Sequence, residues 1–441
     1  MLRVTLLYVM VAWSAEAMAT DFTLPVLRHE LANGMVILTL EDHSVPVTTF
    51  YAFYRVGSRN ERAGITGLSH FFEHMMFNGA EKYGPKMFDK LLESAGGYSN
   101  AWTSNDITAY FEDFASDQLE LVLELESDRM RGLLFDPDLI ESERGVVAEE
   151  RRSRTDNDPA GAVDELMFAT AFVAHPYHWP VVGWMADIES YTREDCLDYF
   201  KTYYAPNNVV VILSGDFDTD EAMKLVRQYF GELKPGPEVR SVVRSEPQQK
   251  GERRAVIEMP AQVPIVVVGY HVPEAAHADA HVLEVLKAIM SSGESSRLYR
   301  NLVYEREIAI DIYVDYWLRF DPNLMYFYIE VNPDSSLETA ESYLHAEIAR
   351  LSSEPVTDAE LQKAKNKLTA GFYRQLKTNN GRAGQLGEYH LLLGDYKTLM
   401  SVPARYEAVT SEDIQRVAQT YFADRLRTVV TLVPSDEEDD S

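Results

Sequence analysis

A single cysteine, Cys196, stands in 441 residues, so no internal disulfide is available and the fold must rest on its hydrophobic core and any bound metal. Positive charge is the second scarcity. Only 41 Lys and Arg accompany 70 Asp and Glu, a formal net charge of −29. Such a balance repels a phosphate backbone and argues against nucleic acid as a partner. It reads first as a solvated acidic surface that aids solubility, and as a preference for cationic ligands second. Long hydrophobic runs are missing too. The apolar stretch Val4 to Trp13 follows Arg3 and precedes small residues at alternate positions, the layout of a secretory signal peptide over 1–19, with Ala15-Glu16-Ala17 or Ala17-Met18-Ala19 as cleavage site. It is short for a bilayer span, and no later segment is better suited. The mature chain is therefore expected to be exported without a transmembrane anchor, and export without disulfides points to a bacterial periplasm.

What is present centres on Ser69-His70-Phe71-Phe72-Glu73-His74-Met75-Met76-Phe77, a stretch apolar on nearly every side that nonetheless carries two imidazoles and a carboxylate. In a helix, His70 and His74 share one face four residues apart, and Glu73 sits beside them. Two neutral imidazoles at that spacing suit zinc, and the neighbouring carboxylate can take a proton from a water. His-x-x-Glu-His is the inverted zincin signature. The competing reading is a buried helix whose histidines only find hydrogen-bond partners.

A second helix is signalled by Asp136-Pro137. Along it, positions 140, 143, 147 and 150 share a face, which places Glu143 and Glu150 on the stripe of Ile140 and Val147, while Glu149 points outward. Inward carboxylates are costly unless paired or bound to a cation, so this stripe suits the charge that zinc would bring. Salt bridges to Arg144 or Arg151 are the alternative.

Strand patterns run from Leu27 to Tyr54, with Asn33-Gly34 as a turn. Gly96-Gly97-Tyr98 opens another, expected to continue through Thr103 to Phe111, whose small polar start leaves an edge on which a peptide could lie. The chain also repeats itself. Thr192-Arg193-Glu194-Asp195 and Thr202-Tyr203-Tyr204-Ala205 recur at one constant offset as Thr410-Ser411-Glu412-Asp413 and Thr420-Tyr421-Phe422-Ala423, and each copy enters a β-branched run. Duplication of a half-chain unit follows. The implied division is a first half over 20–232, a linker over 233–254 rich in proline, glycine and charge, a second half over 255–434 without the histidine motif, and a disordered acidic tail over 435–441.

Taken together, Gly67 to His74, Glu143 to Glu150 and the duplicated halves resemble the insulinase/pitrilysin family of zinc peptidases, in particular its processing-peptidase β-subunit-like branch. The resemblance implies an α+β fold of two homologous halves, each a β-sheet packed with helices, closing as a clamshell. It implies one Zn2+ per chain bound by His70, His74 and Glu150, Glu73 as general base, Glu143 in support, and Asn100 and Ala101 on the strand that pairs with substrate. The expected activity is that of a zinc-dependent endopeptidase acting on peptides or unfolded segments in an enclosed chamber. Active members resemble one another in an Arg and a Tyr, seven residues apart in the second half, that stabilise the oxyanion. Here the matching positions hold Val303 and Ile310, with Arg297 and Tyr299 as the nearest substitutes. The departure implies a heterodimer in which a paralogous subunit supplies the missing pair. A catalytically silent peptide-binding or assembly subunit, or a zinc hydrolase acting on a small amide, are the other readings.

Overall fold

The computed structural model describes residues 22–239, 242 and 245–435. The segment read as a signal peptide and residues 436–441 of the acidic tail lie outside the described residues. Among the described residues no helix is long and apolar enough to cross a membrane.

The first sheet contains β1 (Leu27–Glu30), β2 (Val36–Glu41), β3 (Val47–Tyr54), β4 (Tyr98–Thr103), β5 (Thr108–Ala115) and β6 (Val209–Gly215), in the order β1-β2-β6-β3-β5-β4. The second contains β7 (Arg253–Pro260), β8 (Ile265–Val272), β9 (Ala309–Tyr316), β10 (Asn323–Val331) and β11 (Arg427–Ser435), in the order β7-β11-β8-β10-β9. Each sheet holds one parallel pair, β2 with β6 and β7 with β11, among antiparallel neighbours. The fold is α+β with two sheet-and-helix halves. The repeated motif explains its own recurrence: Thr192 and Thr410 each cap a helix through a reciprocal bond with an aspartate three residues on, Asp195 or Asp413, and each helix delivers the chain into an interior strand of its sheet. β11 runs to Ser435, one residue into the stretch expected to be disordered.

One expected strand is two. The run from Gly96 to Phe111 breaks at Ser104, whose hydroxyl accepts the backbone N–H groups of Asp106 and Ile107, so β4 folds back on β5 as a hairpin. Side chain to backbone bonds of this type stabilise a turn without glycine or proline, which hides it from pattern reading.

The helices nearest the site are α1 (Leu68–Met75), α2 (Met87–Ser94), α3 (Leu119–Arg131), α4 (Pro137–Arg151) and α5 (Pro159–Ala171). The halves exchange helices. Val163, Met167 and Ala171 of α5, a first-half helix, pack on Ile265, Val267, Leu324 and Leu432 of the second sheet. In return the second-half helix Asn379–Leu393 places Ala383 and Leu386 against Leu38, Tyr51, Phe53 and Ile212 of the first sheet. Gly387 on that helix allows the approach: a Cβ there would stand 2.1 Å from Cε2 of Phe53.

A buried charge cluster pins the halves together beside the turn joining β9 to β10. Arg59 Nη2 lies 2.7 Å from Asp321 Oδ2, and Arg59 Nε 3.5 Å from Asp106 Oδ1. The Tyr177 hydroxyl donates to Asp106 at 2.7 Å, and Asp106 accepts the backbone N–H of Phe320 at 2.9 Å. All three charged side chains are buried.

Two outcomes follow from these contacts. Gly387→Ala overpacks the helix against Phe53 and is expected to destabilise the chain by about 1–3 kcal/mol, read as a lower denaturation midpoint. Arg59→Ala strands two buried carboxylates and is expected to cost about 3–5 kcal/mol in the same assay. A loss below about 0.5 kcal/mol in either variant would contradict the packing described.

Candidate metal centre and cavity

The site is carried by α1, which has only eight residues, too few to stand without anchorage. Its N-terminus is held by Glu61, whose carboxylate accepts the backbone N–H groups of Gly67 and Ser69, each at 2.7 Å. Gly67 enters the helix at φ +87°, and a Cβ there would meet the carbonyl oxygen of Val182 at 2.3 Å, so only glycine lets the 180–184 loop close over the helix start. Phe71, Phe72 and Met75 bury the opposite face completely, with Phe72 stacked on Tyr199 and Tyr204. The polar face is thereby turned toward α4.

There the predicted residues converge. Nε2 of His70 and Nε2 of His74 lie 3.6 and 3.4 Å from the same Oε2 of Glu150, and one donor atom from each of the three residues lies within 4.8 Å of the others. Two imidazole nitrogens and a carboxylate oxygen are the donor set that zinc takes with one position left open. Glu143 stands behind the histidines. Its Oε1 is 2.7 Å from His74 Nδ1, and Asn78 Nδ2 donates to its Oε2 at 2.6 Å. That contact fixes the tautomer in which His74 Nδ1 carries the proton and Nε2 faces the other donors. Glu149, by contrast, is 72% exposed at its side chain.

The electrostatics mark the spot as one that favours positive charge. Burial, reinforced by the neighbouring His74, lowers the pKa of His70 to about 4, so its ring is neutral. Burial pulls His74 the same way, but its bonds to Glu143 and Glu150 outweigh it and raise the value to about 9. The Glu150 carboxyl is held below its ordinary value, chiefly by the bond to His74. Burial would raise that of Glu143, yet its bonds to His74 and Asn78 lower it. Glu73 is the exception. Burial raises its pKa, opposed by the hydroxyl of Thr103, which donates to Oε2 at 2.6 Å. A carboxylate shifted upward beside a cation site is suited to take and return a proton.

These residues open on a cavity of about 730 Å³. Asn100, Ala101 and Thr103 of β4 form one wall, residues 161–168 of α5 another, and Trp179, Val182 and Arg319 close it. β4 is the edge of its sheet, paired among the described residues only with β5, so an extended chain can add to its outer side, where Asn100 Oδ1 accepts the Ala101 N–H at 2.8 Å. The second-half positions fall elsewhere. Val303 packs at the margin of the second-half core, Ile310 is an exposed residue of β9, and Arg297 is committed to Glu360 through bonds of 2.6 and 2.9 Å.

Several contributing residues escape a reading of pattern alone. Asn78 stands four residues after His74, and Arg154 four after Glu150, which it meets at 2.6 Å; helical spacing could have found both. Glu61, Thr103 and Arg319 reach the site from loops and a strand end, where no periodicity announces them.

Comparison with known proteins places this geometry. Residues 36–183 match the insulinase family, peptidase family M16, and residues 190–368 match the domain described as the peptidase M16 inactive domain. The zinc protease PqqE of Helicobacter pylori is 34% identical over 414 residues, covering 92% of this chain and 93% of that protein. The mitochondrial-processing peptidase subunit beta of Blastocladiella emersonii is 26% identical over 410 residues, covering 92% and 88%. The crystal structure of a protease from Helicobacter pylori superposes with a TM-score of 0.90 at 33% identity, covering 93% of this chain and all of the other. Two matched domains and these full-length relatives show that the chain belongs to the insulinase family of peptidases, peptidase family M16.

Proposed function

We propose that this chain is the zinc-bearing subunit of an exported, periplasmic endopeptidase that hydrolyses peptides or unfolded segments inside the cavity. The observation that carries the proposal is the meeting of His70, His74 and Glu150 at a cavity that is also lined by the edge strand of the sheet. His70, His74 and Glu150 would hold one zinc ion per chain, which when bound supplies Lewis acidity to water and to the scissile carbonyl. Asn100 and Ala101 bind the substrate as an added strand and orient its backbone. Glu73, raised in pKa and steadied by Thr103, accepts the proton of the attacking water and returns it to the leaving amine. Glu143 keeps His74 in its working tautomer.

What this chain does not offer at the family positions is a donor for the developing oxyanion, because Val303 and Ile310 carry none. A paralogous subunit bearing Arg and Tyr there would complete the machinery, and the likeness to a processing-peptidase beta subunit supports that reading. The same vacancy favours one alternative, a zinc-bearing subunit that binds peptide without cleaving it.

The test compares hydrolysis of quenched peptides by the chain alone and by the chain co-expressed with a paralogue carrying the Arg and Tyr, with zinc content measured in both. Activity is expected only in the pair and is expected to fall by about 10²–10⁴ in Glu73→Gln with zinc retained. Vigorous cleavage by the isolated chain would remove the need for a partner, and zinc without cleavage in both preparations would establish the silent subunit. Glu143→Ala is expected to weaken zinc binding by about 10–100-fold in a chelator competition; unchanged affinity would show that Glu143 has no part in the site.

A further inference from the structure

Two cations line the cavity beside the triad, Arg154 and Arg319. Arg154 is taken up by Glu150. Arg319 forms no ion pair and no side-chain hydrogen bond among the described residues, and its Nη1 is shut from solvent without a partner. Asp106 and Asp164 feel its charge without a bond to it, and the neighbouring carboxylates bond to other groups. Glu165 is forked by Arg151 at 2.8 and 3.1 Å, Asp164 interacts with the Tyr326 hydroxyl, and Asp106 serves Arg59, Tyr177 and Phe320. An arginine with no direct hydrogen bond or ion pair at a cavity wall can take a further anionic partner.

Arg319 is also held in place. Its guanidinium lies over the rings of Phe168 and Tyr177, 5.4 and 5.2 Å from their centres. The turn that bears it is fixed on both sides: its own carbonyl accepts Ala275 N–H at 2.9 Å, Phe320 N–H donates to Asp106, and Asp321 pairs with Arg59. Stacking and a pinned backbone leave a planar fork with little freedom to lose, the form in which arginine recognises a carboxylate through two parallel bonds.

We propose that Arg319 is a specificity residue that anchors a carboxylate of the substrate peptide, either its free C-terminus or an Asp or Glu side chain. The inference rests on the peptide-hydrolysing reading of the same cavity. The substrate then spans the clamshell, with its scissile bond at the first-half triad and its carboxylate on a second-half turn. Short peptides carrying a negative group at one end are selected in spite of the chain's acidic surface, because the Arg319 guanidinium lines the cavity with no direct hydrogen bond or ion pair among the described residues.

The test measures binding, not turnover. Zinc-loaded Glu73→Gln protein, in the assembly in which it purifies, is titrated with fluorescent peptides of one sequence in three forms: a free C-terminus, a C-terminal amide, and internal Glu replaced by Gln. Removing the carboxylate that Arg319 holds is expected to weaken binding by about 10–100-fold, and the arm that responds identifies which carboxylate it is. Adding Arg319→Gln is expected to abolish that discrimination with zinc content unchanged, and Arg319→Lys to restore part of it. Equal affinity for all three peptides with Arg319 intact would overturn the assignment while leaving peptide binding standing. Failure of every peptide to bind would instead overturn the peptidase reading, and the assignment with it.

Discussion

Two carboxylates and two imidazoles from two different helices are brought to one half-buried spot, and Coulomb repulsion between Glu143 and Glu150 has to be relieved there by positive charge. Those neighbours raise the pKa of His74 to about 9, so the ring itself balances their charge until a bound cation takes over that role. Much of the surrounding structure serves that convergence. The eight-residue α1 is clamped by Glu61 at its start and by stacked aromatics along its buried face, while α4 presents Glu143 and Glu150 two turns apart. The edge strand β4 and the exchanged helix α5 then wall the space in front of the donors.

The exchange of helices makes the two halves one structural unit. α5 belongs to the first half by sequence but covers the second sheet, and Asn379–Leu393 does the reverse, so neither half buries its sheet alone. The Arg59, Asp106 and Asp321 cluster adds a polar latch whose members cannot be removed singly without stranding a buried charge. A consequence for function is that second-half residues reach the first-half cavity at a defined place, the turn at Arg319. Duplication thus supplied a second half that, among the described residues, holds no metal-ligating cluster of its own yet contributes a wall and a charge.

Legibility in the sequence followed the range of the interaction. Helical spacing exposed His70, Glu73, His74, Glu143 and Glu150, because contacts at three and four residues are written locally. The repeat was visible because Thr192 and Thr410 cap helices with the same few residues. The β4–β5 hairpin was missed because a serine hydroxyl makes its turn. Arg59, Glu61, Thr103 and Arg319 were silent because what gives each its role is a partner brought near by tertiary packing alone. Asn100 and Ala101 were legible only as an edge, and the structure adds that the edge lines the same cavity as the donors.

The central claim is that this cluster is built for zinc, and X-ray absorption at the zinc edge of the purified chain addresses it directly. The account predicts one zinc per chain with two imidazole nitrogens, oxygen in the remaining positions and no sulfur, and loss of the imidazole signature in a His70→Ala, His74→Ala chain. A chain that retains no zinc after dialysis, or a shell of oxygen alone, would contradict it.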